Sequence, residues 1–159
     1  MLQRLLVLLI AFGLAACSGL PLNAVAPRVS VAEVGIKSLG LFEQRFNVGL
    51  RVSNPNDFDL TIEALDFELE VNGRPFAKGL LRATTLIPAI SSMVLRVDAI
   101  MPSKNLIQQI KTLPPETLRD GVPYRIKGRI KTDKSSTWLP FDYAGVVGGD
   151  EQKSRGRAV

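Results

Sequence analysis

The sequence has no histidine and only one cysteine in 159 residues. Without imidazole there is no Ser-His-Asp triad, no Cys-His dyad and no histidine-ligated metal centre. A lone cysteine forms neither an internal disulfide nor a cysteine-rich zinc cluster. Long apolar runs are equally scarce, with a single one at the very start of the chain. Twenty Lys and Arg stand against fifteen Asp and Glu, a formal charge of +5. That balance raises nucleic acid and anionic membrane as partners to be tested against position.

The first sixteen residues differ from the rest. Arg4 supplies a positive start, Leu5–Phe12 an apolar centre, and Leu14-Ala15-Ala16 a run suited to cleavage. This is the organisation of a secretory signal. Residues 5–16 would rise only about 18 Å as a helix, against a hydrocarbon core of about 30 Å, so the run is too short to span.

The next residue gives the segment its specificity. Leu14-Ala15-Ala16-Cys17 resembles the bacterial lipobox, and the resemblance implies that Cys17 becomes the first mature residue and carries lipid. A thiol suits thioether formation because it is the strongest nucleophile among neutral side chains. The resemblance further implies a diacylglyceryl group and an N-acyl chain, and two or more chains make anchoring stable. Ser18, in place of an aspartate, favours the outer membrane, facing the periplasm. No other cofactor is expected.

Removing residues 1–16 leaves 143, of which 60 are apolar, and trims the side-chain charge to +4 because only Arg4 is lost. An ordinary soluble domain remains. Residues 17–27, with prolines at 21 and 27, read as the lipidated cysteine and an extended tether. Residues 28–147 form the folded unit, and Gly148-Gly149 opens a polar tail to Val159 with little to bury.

Within the folded unit the dominant period is two. Val29 and Val31, then Val34 and Ile36, predict a strand with a phase slip near Ala32-Glu33. Phe46, Val48, Leu50 and Val52 alternate with polar or small residues. Leu60 and Ile62 share one phase, while Leu65, Phe67, Leu69 and Val71 take the other, which predicts a bulge between them. Asn72-Gly73 follows as a hairpin turn whose residues both tolerate positive φ. Phe76–Leu81 returns, and Met93, Leu95, Val97 and Ala99 form the next strand. Leu106, Ile107, Ile110 and Leu113 are spaced for one helical face, with Ser103 as N-cap and Pro114-Pro115 as terminator. Strand character resumes from Val122 to Ile130 and again around Trp138–Tyr143. About seven strands and one short helix predict an all-β antiparallel sandwich.

The segment from Val52 to Leu60 reads Val-Ser-Asn-Pro-Asn-Asp-Phe-Asp-Leu. Proline fixes φ, the asparagines bond to nearby backbone, and Phe58 can plug the gap above the core. Asn54-Pro55-Asn56, Phe58, Leu60, Leu65, Leu69, Val71-Asn72-Gly73 and Ala77-Lys78-Gly79 together resemble the WHy domain (water stress and hypersensitive response) of late embryogenesis abundant type 2 proteins. The resemblance runs from Val29 to Tyr143. It implies a folded immunoglobulin- or fibronectin type III-like sandwich with one helix, found in plants and in bacterial lipoproteins. It also implies a link to desiccation and related stress and to protection of other proteins. Asn54, Pro55, Asn56, Phe58, Asn72, Gly73 and Gly79 are expected to serve the architecture first, with binding as the other reading.

Arg125, Lys127, Arg129 and Lys131 alternate along one strand, which spaces neighbouring charges about 6.6–6.8 Å apart on one face. One reading is a solvated outer face that discourages edge pairing. The other is contact with anionic envelope lipid. An exported domain rarely meets nucleic acid, and the aromatics expected of a base-stacking surface do not interleave here. Ser103-Lys104 and Lys134-Ser135-Ser136 place lysine beside serine, but adjacency alone does not make a base. Asp57, Asp59 and Glu63 lack a glycine-hinged calcium loop. Trp138, Phe141 and Tyr143 are expected to pack in the core of the last strand rather than form a ligand platform. The sequence therefore predicts a non-enzymatic, lipid-anchored protein with no small-molecule substrate. Its partners would be the membrane and either partially unfolded clients or one envelope protein, in a docking role.

Overall fold

The computed structural model describes residues 24–112 and 121–148. Cys17 and the lipobox, most of the tether, Leu113 to Pro115 and the polar tail lie outside the described residues. Eight strands and one helix follow in chain order: β1 (Arg28–Leu39), β2 (Glu43–Asn54), β3 (Leu60–Val71), β4 (Arg74–Leu81), β5 (Thr85–Ile87), β6 (Ser91–Pro102), α1 (Ser103–Thr112), β7 (Val122–Thr132) and β8 (Leu139–Val147). The three-residue β5, paired to the start of β3, raises the strand count to eight.

All strand pairs are antiparallel, and hydrogen bonding runs in the order β1-β2-β6-β4-β3-β7-β8. The result is one curled sheet, a half-barrel. Its narrowest junction is between β4 and β6, where only Lys78–Ile100 and Gly79–Ala99 pair. Across the interior, the Val31 amide donates to the Tyr124 hydroxyl at 3.0 Å, tying β1 to β7.

The period-two pattern explains which side faces in. Val48, Leu50 and Val52 of β2, Leu65, Phe67 and Leu69 of β3, Val97 and Ala99 of β6, and Ile126 and Ile130 of β7 are all buried. Both anticipated phase changes are present. The β1–β2 register shifts between Val31 and Glu33, with a second shift between Ile36 and Ser38. The β3–β7 register shifts between Ile62 and Ala64. Asn72 and Gly73 take φ of 50° and 69°, closing the β3–β4 hairpin.

One row across the sheet shows how the curl is packed. Phe46, Ala99, Gly79, Phe67, Gly128 and Phe141 are successive partners from β2 to β8. Rings are separated by small residues: Phe67 lies between Gly79 and Gly128, Phe141 lies beside Gly128, and Phe46 faces Ala99. A Cβ on Gly79 would overlap the Phe67 ring, and one on Gly128 would collide with the Asp66 carbonyl and the Phe141 ring. Burying a phenylalanine side chain contributes about 1.5–3 kcal/mol, and here it requires glycine opposite.

Two expectations are corrected. Trp138 is not in the core: it precedes β8, is 38% exposed, and stacks with the Arg129 guanidinium 4.8 Å from the ring centroid. Phe141 does pack against the core, whereas Tyr143 is half exposed, with the Tyr124 ring 6.2 Å away. The second correction concerns α1. Leu106 packs on the core but Ile107 is exposed, and the buried Gln109 takes its place, its amide donating to the Val71 and Arg74 carbonyls at 3.0 and 3.3 Å.

Candidate functional site

The strands place two sets of loops at opposite ends of the half-barrel. Residues 24–27, 55–59, 82–90 and 133–138 lie at one end; residues 40–42, the Asn72-Gly73 turn and α1 lie at the other.

At the first end, Asn54 and Asn56 are almost fully buried, at 2% and 5% exposure. The Asn54 amide donates to the Phe58, Ile87 and Pro88 carbonyls at 2.7, 3.2 and 3.2 Å. Its oxygen accepts from the Asn56 backbone at 3.1 Å and side chain at 2.9 Å. Asn56 then holds the incoming chain from both sides, accepting from the Val25 amide at 2.7 Å and donating to its carbonyl at 2.9 Å. Its own carbonyl accepts from Ile90 at 2.8 Å. Every one of these partners is protein. The pair therefore joins the end of β2, the β5–β6 turn and the segment entering from residue 24. Pro55 sets the turn between them, and Phe58 packs against the core. Ile90 sits at φ 51°, a strained value for a β-branched residue, held by that single bond to Asn56.

The basic strand face is occupied. Arg125 makes a two-pronged bond to Asp142, at 2.8 and 2.6 Å. Lys127 pairs with Glu70 at 2.7 Å and Arg129 with Asp66 at 2.8 Å. Lys131 donates to the Ser135 carbonyl at 2.6 Å. Beside them Glu68 is bonded to Lys78. The Arg125 hydrogen bond holds the Asp142 carboxyl below its usual range, and the Lys78 bond does the same for Glu68. β7 thus carries the middle column of an alternating charge ladder whose acids come from β3 and β8.

Of the serine-lysine neighbours, Ser103, Lys134 and Ser135 are engaged. The Ser103 hydroxyl donates to the Leu41 carbonyl at 2.9 Å and accepts from the Gln44 side chain at 3.0 Å. It reaches back to the β1–β2 loop and not to an α1 amide, which corrects its expected role as N-cap. Lys134 pairs with Asp133 at 3.1 Å, and Ser135 donates to the Thr137 carbonyl at 2.9 Å. Asp59 accepts from the Ala89 amide at 3.0 Å. Among the described residues no three acidic or cysteine side chains converge on a metal-sized site, and no helix is long and apolar enough to cross a membrane.

Where β4 and β6 diverge beneath α1, a groove of about 240 Å³ opens, lined by Pro75, Phe76, Ile100 and Pro102 with Glu68 and Lys78 on its rim. The Phe76 ring rests 5.0 Å from Phe46. The β1–β2 loop carries a second feature absent from the sequence-based expectation. Leu41 and Phe42 are 91% and 88% exposed, although their carbonyls are held by the Ser103 hydroxyl and amide, and the buried Gln44 fixes the residue before them. The Gln44 amide donates to the Gly40 carbonyl at 2.7 Å and its oxygen accepts from the Gly40 amide at 3.2 Å. The signal was present: Leu-Gly-Leu-Phe puts three large apolar residues at a turn, where polar ones are usual.

The family model for late embryogenesis abundant protein, LEA_2, matches residues 49–145, more than half of the chain. The chain belongs to the LEA_2 family. The match spans the Asn54-Pro55-Asn56 hub, the Asn72-Gly73 turn and Gly79, all quoted above for the resemblance. Among solved structures, the solution structure of an Arabidopsis thaliana protein is similar at TM-score 0.59 and 17% identity, covering 79% of this chain and 83% of that one. This likeness speaks to the fold. The solution structure of a protein described as late embryogenesis abundant (LEA) is similar at TM-score 0.40 and 15% identity, covering 94% of this chain and 84% of that one. An Archaeoglobus fulgidus protein reaches TM-score 0.44 at 15% identity, over 73% and 94% of the two chains. No curated protein matches.

Proposed function

We propose that this LEA_2 protein is a non-enzymatic lipoprotein, attached to the membrane through lipid on Cys17, that protects envelope proteins or the membrane during desiccation or related stress. The family match over residues 49–145 carries this reading. The lipobox pattern at Leu14–Cys17 supports the anchor, with the outer membrane, periplasmic side, as its location. The bonding of Ser103, Ser135, Lys134 and Asp66 to structural partners supports a role without catalysis. In the finer fold reading, β1-β2-β6 and β4-β3-β7-β8 act as the two layers of a sandwich joined at the short β4–β6 junction.

Clean deletion is expected to lower survival after drying, with rescue by the wild-type chain but not by Cys17→Ala. Equal survival of the deletion strain and its parent would remove the stress reading. Rescue by Cys17→Ala would remove the anchor. The second reading, a docking module for one envelope protein, is favoured by the apolar-lined groove between β4 and β6. Cross-linking in cells separates the two: one stoichiometric adduct supports docking, many sub-stoichiometric adducts support protection.

A further inference from the structure

An unusual number of large apolar side chains lie exposed along one margin of the domain. Val25, Val34, Ile36, Leu39, Leu41 and Phe42 are between 40% and 91% exposed, and all belong to β1 or to the segments joined to its ends. Val34 and Ile36 pair with Val48 and Phe46, which are buried. They therefore point to the inner side of the sheet, yet their part of β1 extends beyond what the opposite strands cover. The stripe begins at Val25, clasped by Asn56, and ends at the 40–42 tip.

Three observations select the occupant. First, the tip carries its own backbone partners. The Gly40, Leu41 and Phe42 carbonyls accept from Gln44, the Ser103 hydroxyl and the Ser103 amide, at 2.7, 2.9 and 3.1 Å. The Gly40 amide donates to the Glu43 carbonyl at 3.1 Å. Internal satisfaction of carbonyls lowers the cost of placing a loop in hydrocarbon, where no water can replace a missing partner. Second, Arg28 and Arg51 near the head of the stripe and Lys104 beside the tip are exposed, and none of the ion pairs among the described residues includes them. Cations flanking an apolar strip suit anionic headgroups. Third, Cys17, the proposed lipid-bearing residue, stands only seven positions before residue 24, where the described chain begins at the head of the same stripe.

We propose that the β1 margin is a lipid-binding face, with the Leu41-Phe42 tip entering an anionic bilayer below its headgroups and β1 lying along the surface. This deepens the membrane reading above and rests on it only for the identity of the surface, because the face itself is built from described residues. Depth follows from the backbone. The tip can descend because its carbonyls are satisfied internally, whereas the free edge of β1 stays at headgroup level, where water and phosphate can pair with its peptide groups.

The full chain carrying Phe42→Trp and Trp138→Phe is mixed with vesicles of phosphatidylethanolamine and phosphatidylglycerol bearing brominated acyl chains. Emission from the tryptophan at position 42 is expected to shift to the blue and to be quenched at least twofold. Ile36→Trp in the same background should be quenched less. Trp138 of the unaltered chain, at the other end of the domain, should be unquenched. Adding Leu41→Asp should abolish the quenching at position 42. Position 42 is exposed, so an unchanged melting temperature verifies that the reporter folds. Absence of quenching at position 42, or equal quenching of Trp138, would overturn the proposal. So would a concentration-dependent blue shift without vesicles, which would assign the face to a second copy. Cys17→Ala should leave the quenching at position 42 intact, so failure of the anchor and failure of this face give different results.

Discussion

The two ends of the half-barrel use the same chemical device for opposite ends. At one, the buried amides of Asn54 and Asn56 gather three segments and leave the bonded groups inside. At the other, the buried amide of Gln44 fixes a loop whose side chains then project into solvent. A buried amide with all partners supplied by protein makes a rigid junction in either place, because leaving any of those groups unpaired costs more than the bond itself gains. What differs is the residue type placed on the outside: Asp57 and Asp59 around the asparagines, Leu41 and Phe42 around the glutamine. Rigidity and surface chemistry are thus set by separate residues, and each can be altered alone.

Asn54→Ala breaks the comparison most severely. It removes five hydrogen bonds at once and strands the buried Ile87 carbonyl, for a loss on the order of 3 kcal/mol. Chemical denaturation should show a lower midpoint with an unchanged slope. If stability is unchanged while protection of a client enzyme is lost, the asparagine belongs to a binding site and not to the architecture. Gln44→Ala comes next, at about 1–2 kcal/mol. Its effect should be local: amide exchange at Gly40 accelerates while that of Asn56 does not. Acceleration at both ends would mean that the two junctions unfold as one unit.

The smallest effect concerns the charge ladder between the ends. Glu68, Asp98 and Asp142 have carboxyls lowered by hydrogen bonds from Lys78, Lys37 and Arg125 respectively. Groups with depressed folded values add stability that is present above about pH 4 and lost as pH falls through those values. Tyr124 behaves in the opposite sense. Burial raises its phenol, so its contribution is present below about pH 10 and lost as pH rises further. Without histidine the melting temperature should be flat from about pH 5 to 9. The acid-side fall should be slight and weaken in high salt, since these carboxylates are solvent-exposed. A step near neutral pH would contradict this account.

Periodicity made the strands legible, and it also placed two bulges, because a one-residue phase change in an alternating pattern has one simple structural solution. Val31 to Glu33 and Ile62 to Ala64 are where the sequence puts them. Asn72-Gly73 was readable because few residue pairs tolerate two positive φ values in succession. The three-residue β5 was not readable, since Thr-Leu-Ile is too short to show a period. Partners across strands were equally hidden. The basic residues of β7 looked like one patch along the chain, yet their acids lie on β3 and β8, and only the register brings them together. The link between Gln44 and Ser103 was hidden for the same reason: fifty-nine positions separate them, and Ser103 read along the chain only as a helix start beside a lysine.

The strand order has a consequence for assembly. Seven strands lie on the main hydrogen-bonded path and every pair is antiparallel, so the first and the last run in the same direction. An odd antiparallel ladder cannot close on itself without one parallel seam, and the curl stops short of a barrel. Two margins without a strand partner among the described residues result, which would be templates for aggregation if left straight and regular. β1 is interrupted by two register shifts, and β8 carries Pro140, which has no amide to donate. Parity of strand number therefore obliges the chain to protect both of its edges by irregularity.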